Sequence, residues 1–345
     1  MKKISACLIA ESLLTFSALP SQAEKYELNF QSAYAPAHTI QKNVLAPWCD
    51  EVSAKHQDLK VVLFALGSIL EPKEVQDGLV NGMLDMSSMA LTMDGKKYPT
   101  SFLANLPLLF ESSQMGTQFG WRLYDEVPEY KADVEKCGHL LSIWAPAPFA
   151  FFSAKSPIYS PDDLKGKRVL IALPSDAEPM KALGAVPVLV TPGDMYVGLQ
   201  RGMGEVAYTA WPMANSLHLG EVCKYATLCP FGSGLMPLGL SNLTMKHLPG
   251  DVLKVLEENA GRALSDQVAA ALDEDTKNVQ SRFKEAGCEL IVPNDEQRAA
   301  FEAKAKELVN TYWIPYMESL GVKNAKELIA KAYAISAEVR ASYNK

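Results

Sequence analysis

The residue types that most often carry chemistry are spread along this 345-residue chain rather than gathered. His38, His56, His139, His218 and His247 share no spacing that would set two imidazoles around a metal, so each reads as a surface or capped histidine. The chain has no H-E-x-x-H, no G-x-x-x-x-G-K-[S/T] and no G-x-S-x-G. Gly202-Met203-Gly204 follows a helical stretch instead of opening one, the wrong polarity for a pyrophosphate, and reads as a helix stop. Asp85 and Glu205 are equivalent positions of a repeated frame and invite reading as an acid pair, but carboxylates at a helix-to-strand turn more often accept from backbone amides. No metal, cofactor or catalytic constellation is implied, and the chain reads as a binding protein rather than an enzyme.

The elements that position these residues come in two copies. ELNFQSAYA (27–35) alternates like a strand, HTIQKNVLAPWCDEVSAKH is helical with an interruption at Pro47, and LKVVLFAL is a β-branched apolar run. EPKEVQDGLVNG then reads as a helix closed by Gly82, before the strand MLDMSSMAL. The order βαβαβ starts again with strand KRVLIAL, a helix over 176–183, strand VPVLVT, helix GDMYVGLQRG and strand EVAYTAW. GLVNGMLDM (78–86) and GLQRGMGEV (198–206) share the frame G-L-x-x-G-M-x-[D/E]-x at matching places. The expected fold is therefore α/β with two similar, hinged lobes, and the ligand is expected in the cleft where the carboxyl ends of their strands face each other. A ligand touching both lobes would favour the closed form. The final third, from DVLKVLEENAG onward, has helical spacing interrupted by CELIVP and is expected to brace both lobes.

Composition narrows the partners. A formal charge of -7 and the absence of a clustered basic patch argue against nucleic acid. Met1-Lys2-Lys3, an apolar run to Leu19 and Pro20-Ser21-Gln22-Ala23 have the three-part layout of an export signal over residues 1–23, cleaved after Ala23, which implies a periplasmic mature chain. Past the leader, Cys49, Cys137, Cys223, Cys229 and Cys288 form an odd set without close pairing; at least one is a free thiol or pairs between chains, and most read as buried small apolar residues.

YAPAH, ALGSILEPKEVQDGLVNGMLDM, LANLPLLFES, SPIYSPDDLKGKRV, ALGAVPV and MYVGLQRGMGEV, in this order behind an export signal, resemble the solute-binding subunits of tripartite ATP-independent periplasmic (TRAP) transporters, of the DctP type. The resemblance implies a bilobal, periplasmic-binding-protein-like fold with a hinge and long C-terminal helices. It places lobe I in 24–146 with 236–275, and lobe II with the hinge-spanning helices in 147–235 with 276–345. It also implies delivery of a small organic solute to the small and large permease subunits in the membrane; a ligand sensor for a chemosensory partner is an alternative from another class.

Such receptors typically clamp a ligand carboxylate with an arginine at the end of the first strand of the second lobe, in a frame like LKGKKIRVP. A guanidinium suits that role because its fork meets both oxygens and stays charged. Here the frame reads LKGKRVLIA, so the arginine's place falls on Leu170, and the place of a second arginine falls on Phe149. Three readings stay open. In one, Trp144, Phe149, Leu170, Tyr208 and Trp211 line a cleft for a ligand with an apolar or aromatic part, with simple core packing the alternative for Trp144 and Phe149. In another, Arg168, two residues earlier on the same strand face, restores a carboxylate or dicarboxylate clamp. In the third, the aromatics with Glu71 or Glu205 cage a cation. By position, Tyr34, His38, Glu71, Ser88 and Met89 form the other wall, Thr209 orients the ligand, and Phe231 and Leu235 contribute from the crossing strand.

Overall fold

A computed structural model describes residues 25–232 and 234–343, so the expected leader and its cleavage point lie outside the described residues. The chain runs through β1 (Tyr26–Gln31), α1 (Ala46–Ala54), β2 (Leu59–Phe64), α2 (Val75–Val80), β3 (Met86–Ser88), α3 (Ser113–Glu126), α4 (Pro128–Cys137), β4 (His139–Trp144) and β5 (Phe149–Ser153). It continues with β6 (Arg168–Ile171), α5 (Ala177–Ala182), β7 (Val186–Leu189), α6 (Met195–Gln200), β8 (Val206–Ala210), α7 (Trp211–Ser216), β9 (Tyr225–Thr227) and β10 (Met236–Leu240). The last third holds α8 (Asn242–Met245), α9 (Gly250–Asn259), α10 (Gly261–Glu285), β11 (Glu289–Ile291), α11 (Asp295–Leu308), α12 (Ile314–Ser319) and α13 (Ala325–Tyr343).

Among the described residues the strands make two sheets, ordered β2-β1-β3-β10-β4 and β7-β6-β8-β5-β9-β11. The orders are one pattern written twice: three parallel strands from a βαβαβ series, then an antiparallel strand, then a strand antiparallel to that. Lobe I's fourth strand, β10, comes only after the whole of the second series, whereas lobe II's fourth strand, β5, directly precedes its own series. The lobes are thereby linked by crossings at 145–148 and 228–235.

Helix α10, 25 residues and about 37 Å long at 1.5 Å per residue, links them a third time. Its Leu264, Val268 and Leu272 pack in the lobe I core with Trp48, Leu141 and Trp144. Its Val279 and Phe283 pack in the lobe II core with Phe152, Leu170 and Trp211. The helix expected from 251 onward is in fact two, because the chain turns at Ala260 and Gly261, whose φ is +60°. Pro47 does not interrupt a helix; a π-helical turn over Gln41–Leu45 precedes it, and it sits in the first turn of α1, where a missing N–H costs nothing. Pro315 repeats this device after the π-helical turn Val309–Trp313. All five cysteines past the leader are buried free thiols, as small apolar fillers would be.

Candidate functional site

The carboxyl ends of the strands carry large apolar side chains that the fold leaves exposed: Leu66 and Ile69 after β2, and Leu173, Leu189 and Met213 after β6, β7 and β8. Each lobe also has an aromatic cluster, and the two differ in how their polar groups are satisfied.

In lobe I, Trp144 at the end of β4 is fully buried and its Nε1–H donates to the Tyr34 hydroxyl at 2.8 Å. The Tyr34 ring lies 4.5 Å from the His38 ring, centroid to centroid, and His38 Nδ1 accepts from the Ile40 N–H at 3.1 Å. Burial holds the His38 imidazole below its usual range, against the pull of Asp275 on α10, and raises the Tyr34 phenol. Both are therefore neutral at pH 7. Ser88 Oγ accepts from the Ala33 N–H at 3.1 Å, which fixes the turn after β1. Gln31, a residue that sequence reasoning passed over, clamps the next loop: its Oε1 accepts from Ile69 and Leu70 N–H at 2.8 and 2.9 Å, and its Nε2 donates to the Leu70 carbonyl at 2.8 Å. Glu71 follows on that loop, exposed to solvent.

In lobe II, the half-buried Phe149 ring meets the Tyr208 ring edge-on at 5.2 Å, and Tyr208 lies 4.8 Å from Phe151. The Tyr208 hydroxyl points at the crossing segment, 3.4 Å from the Gly232 carbonyl, a weak bond at best. A Cβ built on Gly232 would fall 3.6 Å from the Asn105 carbonyl and 3.8 Å from that hydroxyl, so the lobe I segment at Asn105 closes on the same spot. Asp176, in the turn after β6, is the second residue that sequence reasoning missed as a site. Its Oδ2 is enclosed without a hydrogen-bond partner, and burial raises its carboxyl to about 7. Burial first, then the neighbouring Asp176 charge, pushes the Tyr208 phenol well up. The signal was present, since Asp176 follows the strand end directly, but it reads equally well as the residue that opens a helix.

The other proposed site residues are buried in the core or sit at amino ends of strands, although Trp211 also lines a cavity with Phe149 and the Phe231 backbone adjoins the Tyr208 hydroxyl. Strand alternation divides β6: Val169 and Ile171 share the face of Phe151 and Tyr208, while Leu170 turns to the opposite layer with Ala207, Phe152 and Trp211. There Leu170 is fully buried against the repeat glycines, so close that a Cβ on Gly198 or Gly204 would come within 2.8 or 2.5 Å of it. Counting along the frame thus lands on a core position, because one residue of register exchanges the faces of a strand. Trp211 is also core, 4.9 Å from Phe152 and 5.5 Å from Phe283. Arg168 opens β6 at its amino end, exposed, and donates to the Gly202 carbonyl at 2.8 Å. Glu205 is likewise at an amino end, just before β8. Phe231 packs on Phe301, Leu235 on Gly120, and Met89 beside Cys137. Thr209 is buried on β8, on the face away from Tyr208.

A cavity of about 150 Å³ opens at the start of β5, lined by Pro148, Phe149, Trp211, Pro230, Thr276 and Gln280. A larger groove of about 680 Å³ lies elsewhere, between α11–α12 and α13, with Leu108, Ala305, Val309, Ile314, Ile329 and Tyr333 along it. That groove belongs to the helical brace and not to the strand ends. Among the described residues no group of His, Cys, Asp and Glu is arranged to hold a metal, and no helix is long and apolar enough to cross a membrane.

Comparison with known proteins agrees with this architecture. The family described as bacterial extracellular solute-binding protein, family 7 (DctP) matches residues 31–315. The C4-dicarboxylate-binding periplasmic protein DctP of Rhodobacter capsulatus is 26% identical over 98% of this chain and 99% of its own. A TRAP solute-binding protein from an unidentified marine microbe, specific for aromatic acid ligands and crystallised with meta-hydroxyphenylacetate, superposes with a TM-score of 0.79 at 19% identity, covering 91% of this chain and 99% of its own. A TRAP periplasmic solute-binding protein of Desulfovibrio salexigens gives 0.79 at 23% identity, covering 92% and 97%.

Proposed function

This chain belongs to the DctP family of TRAP solute-binding proteins, receptors for small organic ligands and not enzymes, and from that premise we propose that it takes a solute with an apolar or aromatic part between its two sheet ends and passes it to a membrane permease of small and large subunits. The observation that carries this reading is the exposure of Leu66, Ile69, Leu173, Leu189 and Met213 at the carboxyl ends of the strands, together with the Phe149–Tyr208 ring pair in lobe II. Burying such surface against a ligand contributes about 25 cal/mol per Å². An unpaired carboxylate held against the same walls would cost several kcal/mol, at the order of a buried charge without a partner. Arg168 does not relieve that cost, since it lies at the opposite end of β6 and is engaged with Gly202. The aromatic-acid specificity of the marine relative lends support to an aromatic ligand in this scaffold, while the dicarboxylate relative makes the competing class explicit.

Thermal-shift titration of the purified chain tests the proposal. A ligand at 100 times its Kd stabilises by about 2.7 kcal/mol, which is roughly 4 °C for a chain of this size. Aromatic or branched apolar solutes are expected to give that shift, and succinate and malate are expected to give none. A large shift with succinate or malate, lost in Arg168→Ala, would replace this reading with the dicarboxylate one.

A further inference from the structure

We propose that Asp176 is a ligand-recognition residue whose carboxylate receives a protonated nitrogen of the solute, so that the ligand class is an amine carrying an apolar or aromatic body. The inference rests on the reading above and adds the polar end of the ligand to it. Four observations carry it. Asp176 stands in the turn immediately after β6, at the carboxyl end of a strand next to the topological centre of its sheet, where ligands of open α/β sheets lie. Its Oδ2 is enclosed and meets no donor among the described residues, and no cationic side chain shares in its electrostatics. A buried carboxyl without a partner is a cost that a fold sheds unless something else supplies the donor. Its neighbour Tyr208, on which Phe149 packs edge-on, offers an aromatic ring, and a cation beside an aromatic face is attracted by the ring quadrupole. The places where arginines would grip an acid hold Phe149 and Leu170, and Arg298, which lines the cavity beside Phe149, is already paired with Glu111. The formal charge of -7 adds a weak, long-range attraction of the same sign.

Glu71 and Glu205 do not fill this role. The first is exposed on its loop, and the second sits at the amino end of β8. Asp176 supplies the carboxylate on the correct side.

The test is isothermal titration of the whole purified chain at pH 7.5 with a matched series that keeps the ring and changes only the end: phenethylamine, phenylacetate and 2-phenylethanol. Tighter binding of the amine than of the acid and the alcohol, by tenfold or more, is expected. Asp176→Asn is expected to weaken the amine by about 30-fold or more while leaving 2-phenylethanol within threefold, which a general loss of fold would not do. Circular dichroism on the same sample confirms the fold. Binding of phenylacetate in preference to the amine, or an amine affinity unchanged in Asp176→Asn, overturns the inference while leaving the apolar-ligand reading intact. If no member of the series binds, and succinate does, both fall together.

Discussion

The helix-to-strand joint of lobe I and its counterpart in lobe II are built alike bond for bond. After α2, the N–H groups of Asn81, Gly82 and Met83 reach the carbonyls of Asp77, Leu79 and Gly78; after α6, those of Arg201, Gly202 and Met203 reach Val197, Leu199 and Gly198. Gly82 and Gly202 have φ of +71° and +73°. Beyond the joint the lobes part. In lobe I the next acid, Asp85, accepts from the Asn29 N–H at 2.9 Å and from the Thr244 hydroxyl at 2.7 Å. In lobe II the equivalent position is Glu205, whose backbone alone does the joining, to Arg168 and Ala154. The same contrast holds at the strand ends: the polar groups of Gln31, Tyr34, Ser88 and Trp144 each have a hydrogen-bond partner, whereas Asp176 has an enclosed oxygen with no donor. A shared backbone frame thus supports one wall that is complete in itself and one that a ligand would complete.

The strongest way to break this contrast is to remove a member of the completed wall. Trp144→Ala deletes a fully buried indole from the lobe I core and leaves the Tyr34 hydroxyl without its donor. A loss of about 3–5 kcal/mol is expected in urea unfolding. A change below about 1 kcal/mol would mean that the Tyr34–Trp144 wall is not a packed unit.

Asp85→Ala and Glu205→Ala test the repeat directly. The first strands a backbone N–H of β1 and the Thr244 hydroxyl, at a cost of about 1–3 kcal/mol. The second is expected to stay within about 0.5 kcal/mol, as surface substitutions do. Equal costs for the pair would show that the two joints bear the same load and that the difference between the lobes is not energetic.

Asp176 gives the pH signature of an incomplete wall. Its carboxyl is raised to about 7 by burial, so the folded state holds the proton more tightly than the unfolded chain does. Its contribution to stability is therefore fully present below about pH 4 and is lost as the pH rises through about 7. The Asp176→Asn chain, free of ligand, is expected to lack that slope and to be more stable than the parent at pH 8 by about 1–2 kcal/mol. Thermal melts from pH 5 to pH 8 read this out; parallel curves for the two proteins would show that the carboxyl is solvated.

Much of the architecture was legible because it is periodic. The two βαβαβ series, the glycines closing α2 and α6, and the helical brace all follow from spacing that local structure must obey. The expectation that Asp85 bonds a backbone amide is met, although the amide is that of Asn29 on β1, 56 residues away, and not one of its own turn. Site residues were harder, because a ligand-facing side chain differs from a core one by a single register step that composition does not mark. Leu170 and Trp211 are apolar in either role, and only pairing with β8 and α10 assigns them to the core. Gln31 and Asp176 were passed over for the reverse reason. Each is a polar residue at a strand end with a bland local reading, and its meaning comes from partners, present or missing, brought in by distant segments.

The smallest effect is the most exacting test of the repeat. Alanine at Gly82 or Gly202 must adopt a left-handed conformation, which costs roughly 1–2 kcal/mol for a residue with a Cβ. The new methyl at 202 enters open space, while that at 82 meets the Leu243 Cδ1 at 3.3 Å, the free end of a flexible side chain that can swing aside. Both variants are therefore expected to lose about 1 kcal/mol, with Gly82→Ala the worse by a few tenths. Because the backbone term is common to the two sites, their difference isolates what the surroundings add. A gap above about 1 kcal/mol in urea unfolding would mean that the two joints, alike in their hydrogen bonds, are not alike in strain, and the equivalence of the lobes would then stop at geometry.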